Sequence, residues 1–197
     1  MMPEVIYCGY VVGKDGVKPL PGNVEAVEAV PSPTNVTELR SFLGMLNYYN
    51  TYLKDLATVA EPLHVLLKKG TLWSWTPKCD KAFREVKNML CTAALLMHFD
   101  PAQKIVVHCD ASQYGVGVVL GHILDDGTEK PVSYASRTLT NAERTYATIE
   151  KEGLALVFAV KKFHQYLYGG PKFQMFTDHK PLLGLFAENS ALPSRAG

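Results

Sequence analysis

The hydrophobic period of this chain changes at Pro101. Before it, apolar residues recur at three- and four-residue steps; after it, short β-branched runs alternate with turn residues until a long helical stretch begins near residue 142. A mainly helical first half followed by a mixed α/β second half is therefore expected, and a fold of a single structural class is not.

Within the first half, residues 6–17 read as strand, turn, strand, with Lys14-Asp15-Gly16 supplying the turn. Prolines at 19, 21, 31 and 33 punctuate a connector with a short helical candidate at residues 24–30. Residues 34–54 form the first strong helix, with Leu39, Phe42, Leu43, Leu46, Tyr49 and Leu53 on one side and Thr34 or Asn35 as cap. Residues 56–69 continue in that style, with Pro62 marking a kink or a helix start. A third helix starts at Thr76-Pro77 and carries Ala82, Phe83, Val86, Met89 and Leu90.

Strand signals follow at residues 104–109, 115–124, 131–139 and 173–177, with Asp125-Asp126-Gly127 as a hairpin turn. A long helix over 142–167 precedes the last of them, and residues 182–186 read as the start of another helix. Three antiparallel strands, a crossover helix and a further strand describe a mixed sheet.

Composition narrows the function classes. The hydrophobic content of 47% supports a packed core. No stretch approaches the roughly 20 apolar residues of a membrane span, and residues 1–4 lack signal-peptide character, so a soluble cytoplasmic or nuclear protein is expected. The four cysteines show no zinc-ligand spacing and read as free thiols. Net charge is +1, evenly spread over the two halves, which predicts weak independent binding to nucleic acid.

Asp110 and Asp178 each end an apolar strand. If those strands are neighbours the two carboxylates meet, offering the oxygen ligands that Mg²⁺ prefers. A third would come from the crossover helix, where Glu152 lies roughly 70° from the centre of the apolar stripe, Glu150 roughly 90° and Glu143 roughly 110°. Periodicity favours Glu152 slightly. The bland alternative is that the aspartates are turn formers and the glutamates solvated helix charges.

Four runs resemble, in order and spacing, the RNase H domain of gypsy-like LTR retrotransposon Pol polyproteins. They are His108-Cys109-Asp110-Ala111-Ser112-Gln113-Tyr114-Gly115, Lys130-Pro131-Val132-Ser133-Tyr134-Ala135-Ser136-Arg137, Glu150-Lys151-Glu152-Gly153-Leu154-Ala155 with Phe163-His164-Gln165-Tyr166-Leu167, and Phe176-Thr177-Asp178-His179-Lys180-Pro181. Upstream, Glu38-Leu39-Arg40-Ser41-Phe42-Leu43-Gly44-Met45-Leu46-Asn47-Tyr48-Tyr49 resembles the reverse-transcriptase thumb helix.

The resemblance implies an RNase H-like mixed sheet (101–197), preceded by a helical thumb-like segment (34–100) and the end of a palm with its connector (1–33). It implies that Asp110, Glu152 and Asp178 bind two Mg²⁺ or Mn²⁺ ions and hydrolyse the RNA strand of an RNA/DNA hybrid. It also implies that Gly44, Asn47 and Tyr48 touch nucleic acid, within a larger polyprotein and without a small-molecule cofactor. Where the family often has a basic residue after the tyrosine pair, this chain has Asn50.

The family's fourth active-site aspartate lies beyond a further strand, and no acidic residue follows Glu188 here. A catalytically inactive, transposon-derived binding module is the alternative. The polymerase's paired aspartates are also missing, since Asp125-Asp126 belongs to a hairpin turn. His108 and His179 flank two of the carboxylates as candidate proton carriers or simple neighbours.

Overall fold

A computed structural model describes residues 4–182. The chain opens with three short antiparallel strands, β1 (Glu4–Tyr7), β2 (Tyr10–Gly13) and β3 (Gly16–Pro19), one more than the expected hairpin. Gly16 has φ +148°, and a Cβ there would lie 2.1 Å from the Leu96 carbonyl oxygen, so glycine lets β3 pair with Leu96.

Helix α1 (Pro21–Ala29) leads to α2 (Val36–Tyr48), where the Asn35 side chain accepts from the Glu38 amide at 2.9 Å and Glu38 accepts from Thr34 N–H at 2.7 Å. The sequence suggests one helix to residue 54, but α2 gives way to a 3₁₀ turn at Asn50–Tyr52. Tyr49 and Tyr52 are three apart, the spacing a 3₁₀ turn puts on one side, and both pack on Tyr10. Pro62 resolves as a start: α3 (Leu56–Val59) ends before it, and α4 (Glu61–Leu66) carries it in its first turn. Helix α5 (Pro77–Cys91) is capped by Thr76, whose hydroxyl accepts from the Cys79 amide. The helices bury Leu39, Phe42, Leu46, Leu63, Phe83 and Val86 in one core.

The second core lies on a four-stranded sheet of order β6-β5-β4-β7, built from β4 (Lys104–Ala111), β5 (Gly115–Ile123), β6 (Glu129–Thr138) and β7 (Phe173–Phe176). The first three pair antiparallel, and β7 joins β4 in parallel through the helical crossover. That crossover is not one helix. Helix α6 (Asn141–Arg144) stops, the chain extends at Ala147, α7 (Thr148–Lys162) begins, and α8 (His164–Leu167) follows.

The interruption has a local cause. Glu143 accepts from the Thr140 amide and from the two terminal guanidinium nitrogens of Arg137, and Glu150 accepts from the Ala147 amide, so each glutamate closes a helix N-terminus. Ala155, Ala159 and Phe163 pack against Ile105, Val107, Cys109 and Val118 on one sheet face.

The helical segment docks on the other face. The Ala57 amide donates to Ser136 Oγ at 3.0 Å, the Thr58 and Ser112 hydroxyls lie 2.8 Å apart, and Arg144 reaches Glu61 at 3.4 Å. At the rim, fully buried His122 accepts at Nε2 from the Asp100 amide and donates from Nδ1 to the Lys104 carbonyl. All four cysteines are free, Cys79 and Cys109 being buried. No helix among the described residues is long and apolar enough to cross a membrane. The helix expected at 182–186 falls almost wholly outside the described residues.

Candidate metal centre

Parallel register sets the geometry. His108 of β4 pairs with Phe176 of β7, so two residues further on each strand brings Asp110 level with Asp178. Glu152, in the second turn of α7, completes the group: one ligand atom from each of Asp110, Glu152 and Asp178 lies within 4.8 Å of the others. The two aspartates are exposed; Glu152 is 4% exposed, and its buried Oε2 has no hydrogen-bond partner among the described residues.

Burial pushes the Glu152 carboxyl up to about 7; the negative charges of Asp178 and Asp110 add to this, and the Ala111 backbone amide opposes it. A buried carboxylate oxygen with no donor, facing two further carboxylates, is relieved by a hard divalent cation, and the all-oxygen donor set fits one. Glu143 and Glu150, which periodicity left open, are engaged at helix caps instead.

The aspartates border a cleft of about 660 Å³ on the sheet face opposite α7, lined also by Lys54, Asp55, Tyr134 and Phe176. His108 stacks on Phe176, and its Nε2 meets Glu129 at 2.7 Å. His179 follows Asp178 directly, its amide donating to Thr177 Oγ1 at 3.2 Å.

Sequence reasoning missed Asp55. It adopts the left-handed conformation (φ 54°) and stands at the N-cap of α3 without capping it. Its carboxylate lies over Gly117, where a Cβ would sit 1.8 Å from Oδ1. Burial raises its pKa, Lys54 opposes this, and Asp110 adds to it. The available signal was Gly117 itself, a glycine inside a β-branched strand, which marks a close approach.

Gly44, Asn47 and Tyr48 share an exposed face of α2, away from the cleft lining. A Cβ at Gly44 would meet nothing within 4 Å. Tyr48 is 49% exposed; its ring stacks on Tyr10 and its hydroxyl donates to the Cys8 carbonyl.

Residues 75–175, just over half the chain, match the family described as the RNase H-like domain found in reverse transcriptase. The chain belongs to that family. It is 36% identical over 190 residues to the retrovirus-related Pol polyprotein from transposon opus of Drosophila melanogaster, covering 91% of this chain and 19% of that protein. Against the transposon Tf2-3 polyprotein of Schizosaccharomyces pombe it is 35% identical over 188 residues, 95% of this chain and 14% of the relative. The chain thus spans under a fifth of the polyproteins it matches.

Among solved structures, the foamy viral protease-reverse transcriptase dRH in complex with double-stranded DNA superposes with a TM-score of 0.78 at 23% identity, over 100% of this chain and 34% of that one. The foamy viral protease-reverse transcriptase in complex with RNA/DNA hybrid gives 0.75 at 24% identity, over 98% and 27%. These likenesses establish an RNase H-like fold with its preceding helices.

Proposed function

We propose that this chain is the ribonuclease H part of a retrotransposon reverse transcriptase polyprotein, hydrolysing the RNA strand of RNA/DNA hybrids with Asp110, Glu152 and Asp178 as metal ligands. The observation that carries this reading is the buried oxygen of Glu152, without a partner among the described residues, in one group with the other two carboxylates. Two Mg²⁺ or Mn²⁺ ions, when bound, activate water and stabilise the leaving 3′ oxygen. Glu152 gives up its proton to become a ligand, so cation affinity rises as pH rises through about 7.

Gly44, Asn47 and Tyr48 would carry the hybrid: the open backbone at Gly44 admits a sugar edge, and Tyr10 and Cys8 hold the Tyr48 ring in place. Discrimination of RNA from DNA then rests on 2′-hydroxyl and groove-shape contacts. The nuclease acts as one piece of a longer polyprotein of the kind its relatives represent.

Mg²⁺-dependent cleavage of a labelled RNA/DNA hybrid, abolished by Asp110→Asn, is the expected result. Undiminished cleavage by that variant overturns the assignment. Absence of Mn²⁺ binding by calorimetry, in the wild type as in Asp178→Asn, would favour a non-catalytic binding module instead.

A further inference from the structure

We infer that Asp55, supplied by the helical segment, is a fourth carboxylate of the metal centre, holding the hydration shell of an ion bound at Asp110. The inference rests on the metal-binding reading above and adds a residue from outside the sheet and its crossover helix.

The placement follows from register. Gly117 is the β5 partner of Asp110, so their side-chain directions lie on the same sheet face. Cβ positions of directly opposed residues are ~4.5–5.5 Å apart. With its Oδ1 1.8 Å from the Cβ position of Gly117, the Asp55 carboxylate lies within about 7 Å of the Asp110 Cβ. A magnesium-bound water lies ~2.1 Å from its ion and hydrogen-bonds a further oxygen at ~2.7 Å. A carboxylate at that range reaches the ion through water rather than directly, consistent with Asp55 standing outside the three-residue ligand group.

Three further observations point the same way. Asp55 occupies an N-cap position yet makes no capping bond, so its carboxylate is turned to the cleft at the expense of the local role an aspartate there usually fills. The buried Oε2 of Glu152 has no hydrogen-bond partner among the described residues and belongs to the same ligand group as Asp110. Lys54 lines the same cleft, and among the described residues it makes no ion pair with Asp55.

The experiment is Mn²⁺ titration of the whole chain at pH 8, followed by calorimetry and by the loss of the free-ion electron paramagnetic resonance signal. Asp55→Asn is nearly isosteric and is expected to weaken Mn²⁺ binding about 10-fold, the lower end of what outer-shell partners contribute. Gly117→Ala, which displaces Asp55 while keeping every carboxylate, is expected to do the same. Glu129→Gln removes one charge from the same cleft, at the carboxylate that meets His108, and is expected to leave affinity within about twofold. If Asp55→Asn binds as the wild type does while Asp110→Asn does not bind, the role of Asp55 is refuted and the three-carboxylate centre stands. Equal weakening by Glu129→Gln reduces the effect to net charge and also refutes it. A wild type that binds no Mn²⁺ overturns both readings together.

Discussion

Replacing Glu152 with glutamine isolates the electrostatic state of the centre. Without metal, the folded chain holds the Glu152 proton up to about 7, against an ordinary 4.5. The raised value means that this group's contribution to stability is fully present below about 4.5 and is lost as pH rises through about 7. At ~1.4 kcal/mol per pKa unit, the ceiling on that loss at pH 8 is about 3 kcal/mol. Relaxation of the site and entry of water reduce it to about 1–2 kcal/mol. Glutamine keeps the shape and removes the charge, so in chelator at pH 8 Glu152→Gln should be the more stable protein. For a chain of this length that is a rise in Tm of about 2–8 °C. At pH 5 the folded carboxyl is almost wholly protonated while the unfolded one is partly ionised, so about a quarter of the gain should remain. Saturating Mn²⁺ should reverse the order: at 100 times Kd the wild type gains about 2.7 kcal/mol, and the variant far less. Thermal melts at the two pH values, with chelator and with Mn²⁺, read all four states. An equal effect at both pH values, or a lower Tm for the variant in chelator at pH 8, refutes the reasoning.

Three further substitutions test the framework around the centre. His122→Ala leaves a cavity and strips the partners from the Asp100 amide and the Lys104 carbonyl, and should lower unfolding free energy by about 2–4 kcal/mol in urea titrations. Ser136→Ala removes the acceptor of the Ala57 amide; a loss of about 1–2 kcal/mol is expected, with faster hydrogen exchange at Ala57 and unchanged exchange in α5. Glu143→Gln weakens the paired bond to Arg137, which with the Thr140 amide holds the Glu143 carboxyl down to about 2. Its stabilisation is present above about 4.5 and lost as pH falls through about 2, so the variant should be weaker by about 1–3 kcal/mol at pH 7 and converge with the wild type in acid denaturation near pH 2.

The strands, the parallel crossover and helix α5 were legible because their signals are local: alternation, a Thr-Pro start, a hairpin turn. The split of the crossover helix was not, because Glu143 and Glu150 read on a helical wheel as solvated charges. Only the backbone they cap shows that Ala147 breaks the run. The same blind spot left three glutamates in competition, and the two caps explain why only Glu152 faces the aspartates. Asp55 was illegible for a different reason: its contact with Gly117 spans 62 positions and exists only once the helical segment docks on the sheet.

The centre is therefore a property of register more than of any motif. Asp110 and Asp178 meet because β7 runs parallel to β4 with His108 opposite Phe176; an antiparallel β7 would carry Asp178 to the opposite end of the sheet. A slip of one residue would turn Asp178 toward the α7 face, away from the cleft. What fixes the register is apolar: Phe173 and Met175 of β7 pack on the face that Ile105 and Val107 present to α7, while Phe176 stacks on His108 across the sheet. Four apolar side chains and one aromatic pair thus hold two like charges side by side. That arrangement is unfavourable without a counter-charge, so the packing that aligns the strands also builds the group that the proposed metal ions would relieve.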